Sequence, residues 1–326
     1  MTLTATITRI LAPTDFSPAA EAACRLAARL AMRAEAKLIV FHALPGTDLG
    51  QQVQSGRTQV EILNDSRERL GEWFAAVVPV ELRRFLATEF KVIAGEPTPG
   101  IARAAKLSGA DLILMATQGR TGLAHLLMGS VTESVLRTVP VPVLALRLGQ
   151  EERPLTTVQR ILWATDLSPV SEAAWPFALR LADLMTAEVV LLHAVRPADL
   201  AGLADHPVPP PKGWMERYLT PLEDELERRR QAVEGLGLRA RRKIVVGVPA
   251  EVIVTEAQTE QADLIVMGTH GRSGFRHILL GSVAEAVIRK AACPVLAVQV
   301  KPEGEAPDVD TDAPSAQAGT PGESET

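Results

Sequence analysis

The chain has 326 residues, 47% of them hydrophobic and 22% charged, which is globular composition with length for about two domains. Its 39 acids and 34 bases are unevenly placed: residues 302–326 hold seven acids and no base, so the rest is close to neutral. That balance argues against a nucleic-acid binder, which needs a strong basic excess. In chain order, ITRILA reads as a strand, and Ser17-Pro18 opens a helix with a capping side chain and proline at the first turn. Ala19, Ala23, Leu26, Ala27 and Leu30 line one face of that helix. AKLIVFHA is a second strand, 56–76 a helix, TEFKVIA a third strand and TPGIARAAKL a helix. DLILMA is a fourth strand, SVTESVLRTV a helix and VPVLALR a fifth strand.

The same text then recurs. LAPTDFSP (11–18) returns as LWATDLSP (162–169), and ADLILMATQGRTG (110–122) as ADLIVMGTHGRSG (262–274). LLMGSVTESV (126–135) returns as ILLGSVAEAV (278–287). A period of about 150 residues means two copies of one domain rather than a solenoid. The domains are expected at 1–147 and 158–301, joined by a linker at 148–157, with 302–326 as a disordered acidic tail. The second copy adds a long charged helix near 214–234, and the Pro-rich segment 197–213 reads as a loop. Short apolar strands alternating with helices predict an α/β chain: two tandem doubly wound domains, each with a parallel sheet covered on both faces.

The chemistry centres on the turn after the fourth strand. In the second copy it reads Gly268-Thr-His-Gly271, nine residues, then Gly281-Ser282 opening a helix. Glycine permits positive φ and close approach to main-chain amides, and a helix start adds N–H donors and a positive dipole end. The natural ligand is a phosphate chain. Asp15 and Asp166, ending the first strands, suit a ribose hydroxyl or a base amine beside it. Plainer roles stand alongside. Ser130 with Glu133 and Ser282 with Glu285 have capping-box spacing, the aspartates can cap the first helices, and Gly281 can serve a tight turn. His42 and His193 fit buried structural roles, whereas His270 lies inside the glycine turn.

The pattern G-x2-G-x9-G-[ST], with T-D-x-S after the first strand, resembles the universal stress protein family in both copies. The resemblance implies a five-stranded sheet in the order 3-2-1-4-5 and, in one branch, bound ATP, with ADP or AMP as alternatives and Mg²⁺ alongside the phosphates. It implies that Asp166, Ala194 and Val246 line the adenosine pocket, and that Met267, Gly268, Gly271, Arg272, Gly281, Ser282 and Val283 complete the nucleotide site. The matching residues of the first copy are Asp15, Ala43, Ala94, Gly119, Arg120, Gly129, Ser130 and Val131. Ala116 stands where the first glycine is expected, so the second site is expected to be the more complete. The resemblance also implies pairing through the fifth strands as a pseudo-dimer within one chain, with a homodimer of whole chains as a further option.

No P-loop, nucleophile elbow or HExxH pair is present, so no dedicated catalytic set is expected beyond slow ATP hydrolysis or self-phosphorylation. No apolar run reaches the ~20 residues of a membrane helix. The first residues do not read as a secretory signal, and the lone Cys24 and Cys293 make no disulfide framework. A cytoplasmic protein, without membrane or nucleic-acid partner, is the expectation.

Overall fold

The computed structural model describes residues 5–118, 128–147, 158–204, 213–269 and 280–299. The first half runs β1 (Arg9–Pro13), α1 (Pro18–Ala34), β2 (Lys37–Leu44), α2 (Gly46–Gln54), α3 (Gln59–Val77), α4 (Val80–Arg83), β3 (Thr88–Ala94), α5 (Pro97–Ser108), β4 (Leu112–Ala116), α6 (Ser130–Thr138) and β5 (Val143–Leu146). The second half runs β6 (Arg160–Thr165), α7 (Pro169–Glu172), α8 (Trp175–Met185), β7 (Glu188–Val195), α9 (Pro197–Ala204), α10 (Trp214–Glu234), β8 (Ala240–Val246), α11 (Pro249–Thr259), β9 (Leu264–Gly268), α12 (Ser282–Lys290) and β10 (Val295–Val298).

All ten strands form one sheet in the order β3-β2-β1-β4-β5-β10-β9-β6-β7-β8. Each half has the expected 3-2-1-4-5 order, and its strands pair in parallel. The halves meet antiparallel through their fifth strands, with Val143, Leu144 and Ala145 opposite Ala297, Leu296 and Val295. Both strands are four residues long and fully buried. As unpaired edges they would template aggregation; here each covers the other.

Alternation along each strand splits the core into two layers. Leu264 and Val266 point to the face covered by α1, α7 and α8, whereas Ile265 and Met267 point to the face covered by α5, α6, α11 and α12. Helix α1 begins as its sequence demands. Ser17 Oγ accepts the Ala20 amide at 3.2 Å, Pro18 occupies the first turn, and a run of buried alanines brings the helix close to the sheet.

Its counterpart in the second half is broken into α7 and α8. Pro176 lacks an N–H and its ring collides with the carbonyl four residues back, at Glu172, where α7 ends. A helix at 56–76 is observed as α3, held by a capping box between Thr58 and Glu61. The loop expected over 197–213 is corrected in part. Residues 197–204 form α9, because Pro197 suits a first turn and the Ala- and Leu-rich stretch favours helix before the next prolines arrive. The 148–157 linker and 302–326 tail lie outside the described residues. Among the described residues no helix is long and apolar enough to cross a membrane.

Candidate functional site

Both first strands end in the same turn. In the second half, Thr165 Oγ1 accepts the Leu167 amide at 2.9 Å and Asp166 Oδ1 accepts the Ser168 amide at 3.0 Å. Ser168 Oγ then accepts the Ser171 amide, capping α7. Thr14, Asp15 and Ser17 repeat the arrangement at 2.9, 3.0 and 3.2 Å. The intervening Phe16 and Leu167 take positive φ, 65° and 60°. The serines therefore cap the helices, and the aspartates brace the turn while lining the cavity beside it.

A cavity opens in each half at the carboxyl ends of the first and fourth strands, where strand order reverses. The second-half cavity, of about 170 Å³, brings together Asp166, Ala194, Met267, Gly268, Gly281, Ser282 and Val283. The first-half cavity, of about 350 Å³, brings together Asp15, Ala43, Gly129, Ser130 and Val131. Val246 is not brought in: it ends β8 at 53% exposure and does not line the second cavity. Ala94 likewise does not line the first. Gly119, Arg120, Gly271 and Arg272 lie outside the described residues, as does His270.

The glycines work differently from the sequence expectation. Gly129 and Gly281 each precede a helix with an ordinary φ of −62°, and Gly268 is not among the positive-φ glycines. Close packing explains Gly129 and Gly268. A Cβ at Gly129 would meet the Thr117 carbonyl at 3.2 Å. One at Gly268 would meet the Val170 carbonyl at 2.9 Å and the Ser171 backbone at 3.1 Å, on the α7 side of the sheet. Ala116 faces the equivalent side and packs against the α1 core. Ala116 also lines the first cavity, as Gly268 lines the second.

The amide cradle also needs correction. The Gly281 amide donates to the Thr269 carbonyl at 2.8 Å, the Gly129 amide to the Thr117 carbonyl at 2.7 Å, and Thr269 to Val298 at 3.0 Å. These groups are engaged within the protein. The donors without a partner inside their helix are one residue further on. The first bonds of α6 and α12 run from Glu133 to Gly129 and from Glu285 to Gly281, leaving the amides of residues 130–132 and 282–284 outside the helical ladder. Ser130 and Ser282 sit at the first helical position rather than at the cap, so neither completes a capping box.

His193 and His42 take the structural roles expected of them and also line the cavities, a placement the sequence reading did not give, and several other cavity residues escaped it altogether. His193 is 2% exposed, lines the cavity, and its Nδ1 lies 2.9 Å from the Thr165 carbonyl oxygen; His42 makes the same contact with Thr14. Pro97 with Pro249 and Ile101 with Ile253 form matching apolar walls. Each pair recurs at the same offset as the glycine turns, a signal the repeat itself carried. Arg196 belongs to the second cavity alone. Asp199 grips it through Nε at 3.1 Å and Nη2 at 2.7 Å, and this pairing raises the guanidinium pKa. Nearby, burial raises the pKa of the Glu172 carboxyl, opposed by Arg229. Among the described residues no cluster of His, Cys, Asp and Glu is arranged to hold a metal ion.

Comparison with known proteins gives a consistent result. A universal stress protein of Methanocaldococcus jannaschii, MJ0531, is 39% identical over 151 residues, covering 45% of this chain and 85% of the relative. One from Mycolicibacterium smegmatis is 27% identical over 315 residues, covering 92% of this chain and 99% of the relative. The crystal structure of a universal stress protein from Archaeoglobus fulgidus superposes with a TM-score of 0.65 at 20% identity, covering 89% and 98% of the two chains, which establishes the shared fold. The sequence model described as "Universal stress protein family" matches residues 6–147 and again 157–299. Matched through both halves, the chain belongs to the universal stress protein family.

Proposed function

We propose that this protein binds an adenine nucleotide, ATP with ADP or AMP as alternatives, in the cavity of each half, and that occupancy serves as a conformational signal in a stress response. One observation carries the reading: each cavity combines a strand-end carboxylate, an apolar wall and the opening turn of a helix. Asp166 and Asp15 would meet ribose or base, Ile253 and Ile101 the flat apolar surface of the base, and Ser282 and Ser130 with their neighbouring amides the phosphates. Gly271, Arg272, Gly119 and Arg120 are proposed to complete the phosphate sites, with Mg²⁺ carried by the nucleotide. The units that bind are proposed to be residues 1–147 and 158–301, in a cytoplasmic protein.

Magnitudes favour a shared effort. A helix N-terminus contributes about 0.3–1 kcal/mol to holding an anion, whereas micromolar affinity requires about 8 kcal/mol. Direct hydrogen bonds and base burial must supply the difference. The test is thermal unfolding of the full chain with nucleotide. ATP at 100 times its dissociation constant should stabilise the protein by about 2.7 kcal/mol and raise Tm by a few degrees. Asp166→Ala should reduce the effect. The absence of any shift with ATP, ADP and AMP overturns the reading.

A further inference from the structure

The helices that open the two cavities also touch each other. α6 and α12 lie on the same face, above the β5–β10 junction, and their charged residues interlock. Arg137 Nη2 lies 2.9 Å from Glu133 on its own helix and 3.7 Å from Glu285 on the other. Arg289 Nη2 lies 2.8 Å from Glu285 and 3.8 Å from Glu133. Each carboxylate is thus shared between two guanidiniums, one from each half. All four side chains are 27–31% exposed, enough burial to limit screening. The helices are tied at their far ends as well. Arg147, just after β5, donates to the Arg289 carbonyl at 3.0 Å, and Gln299, at the matching place after β10, donates to the Leu136 carbonyl.

We propose that this quartet makes the two sites negatively coupled toward polyanionic ligands, an inference that rests on the nucleotide reading above. Glu133 and Glu285 each lie three residues beyond the serine that lines the cavity. A phosphate chain at the start of α12 therefore adds negative charge near Glu285. The two arginines respond by strengthening their hold on Glu285, and Arg137 can do so only by loosening its hold on Glu133. Glu133 is then less neutralised, and a second phosphate chain at the start of α6 meets greater repulsion. The relation is reciprocal. The coupling follows ligand charge, so an uncharged nucleoside leaves it untouched.

The test is calorimetric titration of the full chain with ATP and with adenosine. Asp15→Ala and Asp166→Ala isolate the second and first sites and supply their individual dissociation constants. With ATP, the product of the two wild-type constants should exceed the product of the isolated constants about fivefold, the lower end of ordinary coupling because the ion pairs are partly solvated. With adenosine the two products should agree. Arg137→Gln/Arg289→Gln should abolish the excess, and Glu133→Gln/Glu285→Gln, which removes the carboxylates while leaving the helix starts intact, should do so too. Equal products with ATP in the wild type overturn the coupling, as does an excess that survives in both double variants. One equivalent of ATP bound by the wild type and two by the variants is its extreme form; one equivalent in all of them overturns it. No binding of either ligand overturns the nucleotide reading itself.

Discussion

His193 and Thr165 join the second strand of their sheet to the end of the first, through an imidazole Nδ1 that lies 2.9 Å from a main-chain carbonyl oxygen. A carbonyl only accepts, so Nδ1 carries the proton and the ring orientation at the cavity wall is fixed. His193→Ala removes a buried hydrogen bond and leaves a hole at a site 2% exposed. It should destabilise the protein by about 2–4 kcal/mol, read as a lower urea midpoint. His193→Asn, with a shorter side chain but an N–H to offer, should recover part of that loss.

Gly268 and Ala116 occupy matching places, yet exchanging their residue types should cost unequal amounts. Gly268→Ala drives a methyl against the Val170 carbonyl, 2.9 Å away, and should cost about 1–3 kcal/mol. Ala116→Gly only loosens a strand end and should cost about 0.5–1 kcal/mol. Equal, small effects in equilibrium unfolding would remove the steric account of the second-half glycine.

Cys24 sits in α1 at 2% exposure, and burial pushes its thiol pKa up to about 12. The reactive thiolate is therefore scarce as well as shielded. Iodoacetamide at pH 8 should leave Cys24 unmodified in the native protein and modify it after unfolding in guanidinium, as read by peptide mass mapping. Fast native labelling would contradict this packing.

The β8 edge carries an ion network in which Glu260 binds Lys243 at 2.7 Å and Arg241 at 2.9 Å. The Lys243 hydrogen bond is the largest influence holding the Glu260 carboxyl below its ordinary range; Arg230 does the same for Glu227, to about 2. For an acid whose pKa is depressed by folding, the unfolded chain takes up protons first. The stabilisation is then present above the unfolded value and lost as pH falls through the folded one. Glu260→Gln should therefore be less stable than wild type at pH 7, and its stability should decline less steeply below pH 4.5. Parallel pH profiles for the two proteins would show that Glu260 does not contribute.

Much of the architecture was legible because its causes are local and repeated. Apolar strand runs, Ser17-Pro18 and a motif set written twice mark the strands, the helix starts and the duplication, whereas the strand order came from the family resemblance. The long charged helix expected near 214–234 appears as α10 over the same residues. What escaped depends on contacts between segments. The break between α7 and α8 falls at one proline, and the need for Gly268 comes from the close approach of the α7 backbone at Val170 and Ser171, which is invisible in a linear text. The place of Ser130 and Ser282 inside the helix rather than at its cap depends on Gly129 and Gly281 docking onto the carbonyls of Thr117 and Thr269. Val246 is exposed because β8 is the outer strand of the sheet, with no neighbour to fold the chain end inward.

Because β5 and β10 belong to a single polypeptide, their union is insensitive to dilution: each strand meets its mate at a local concentration set by the connecting chain. A pair of separate subunits would have to remain identical to stay matched. Here each half is free to diverge around a permanent companion, and the unequal cavities, one with Arg196 at its rim and one without, are what such freedom produces.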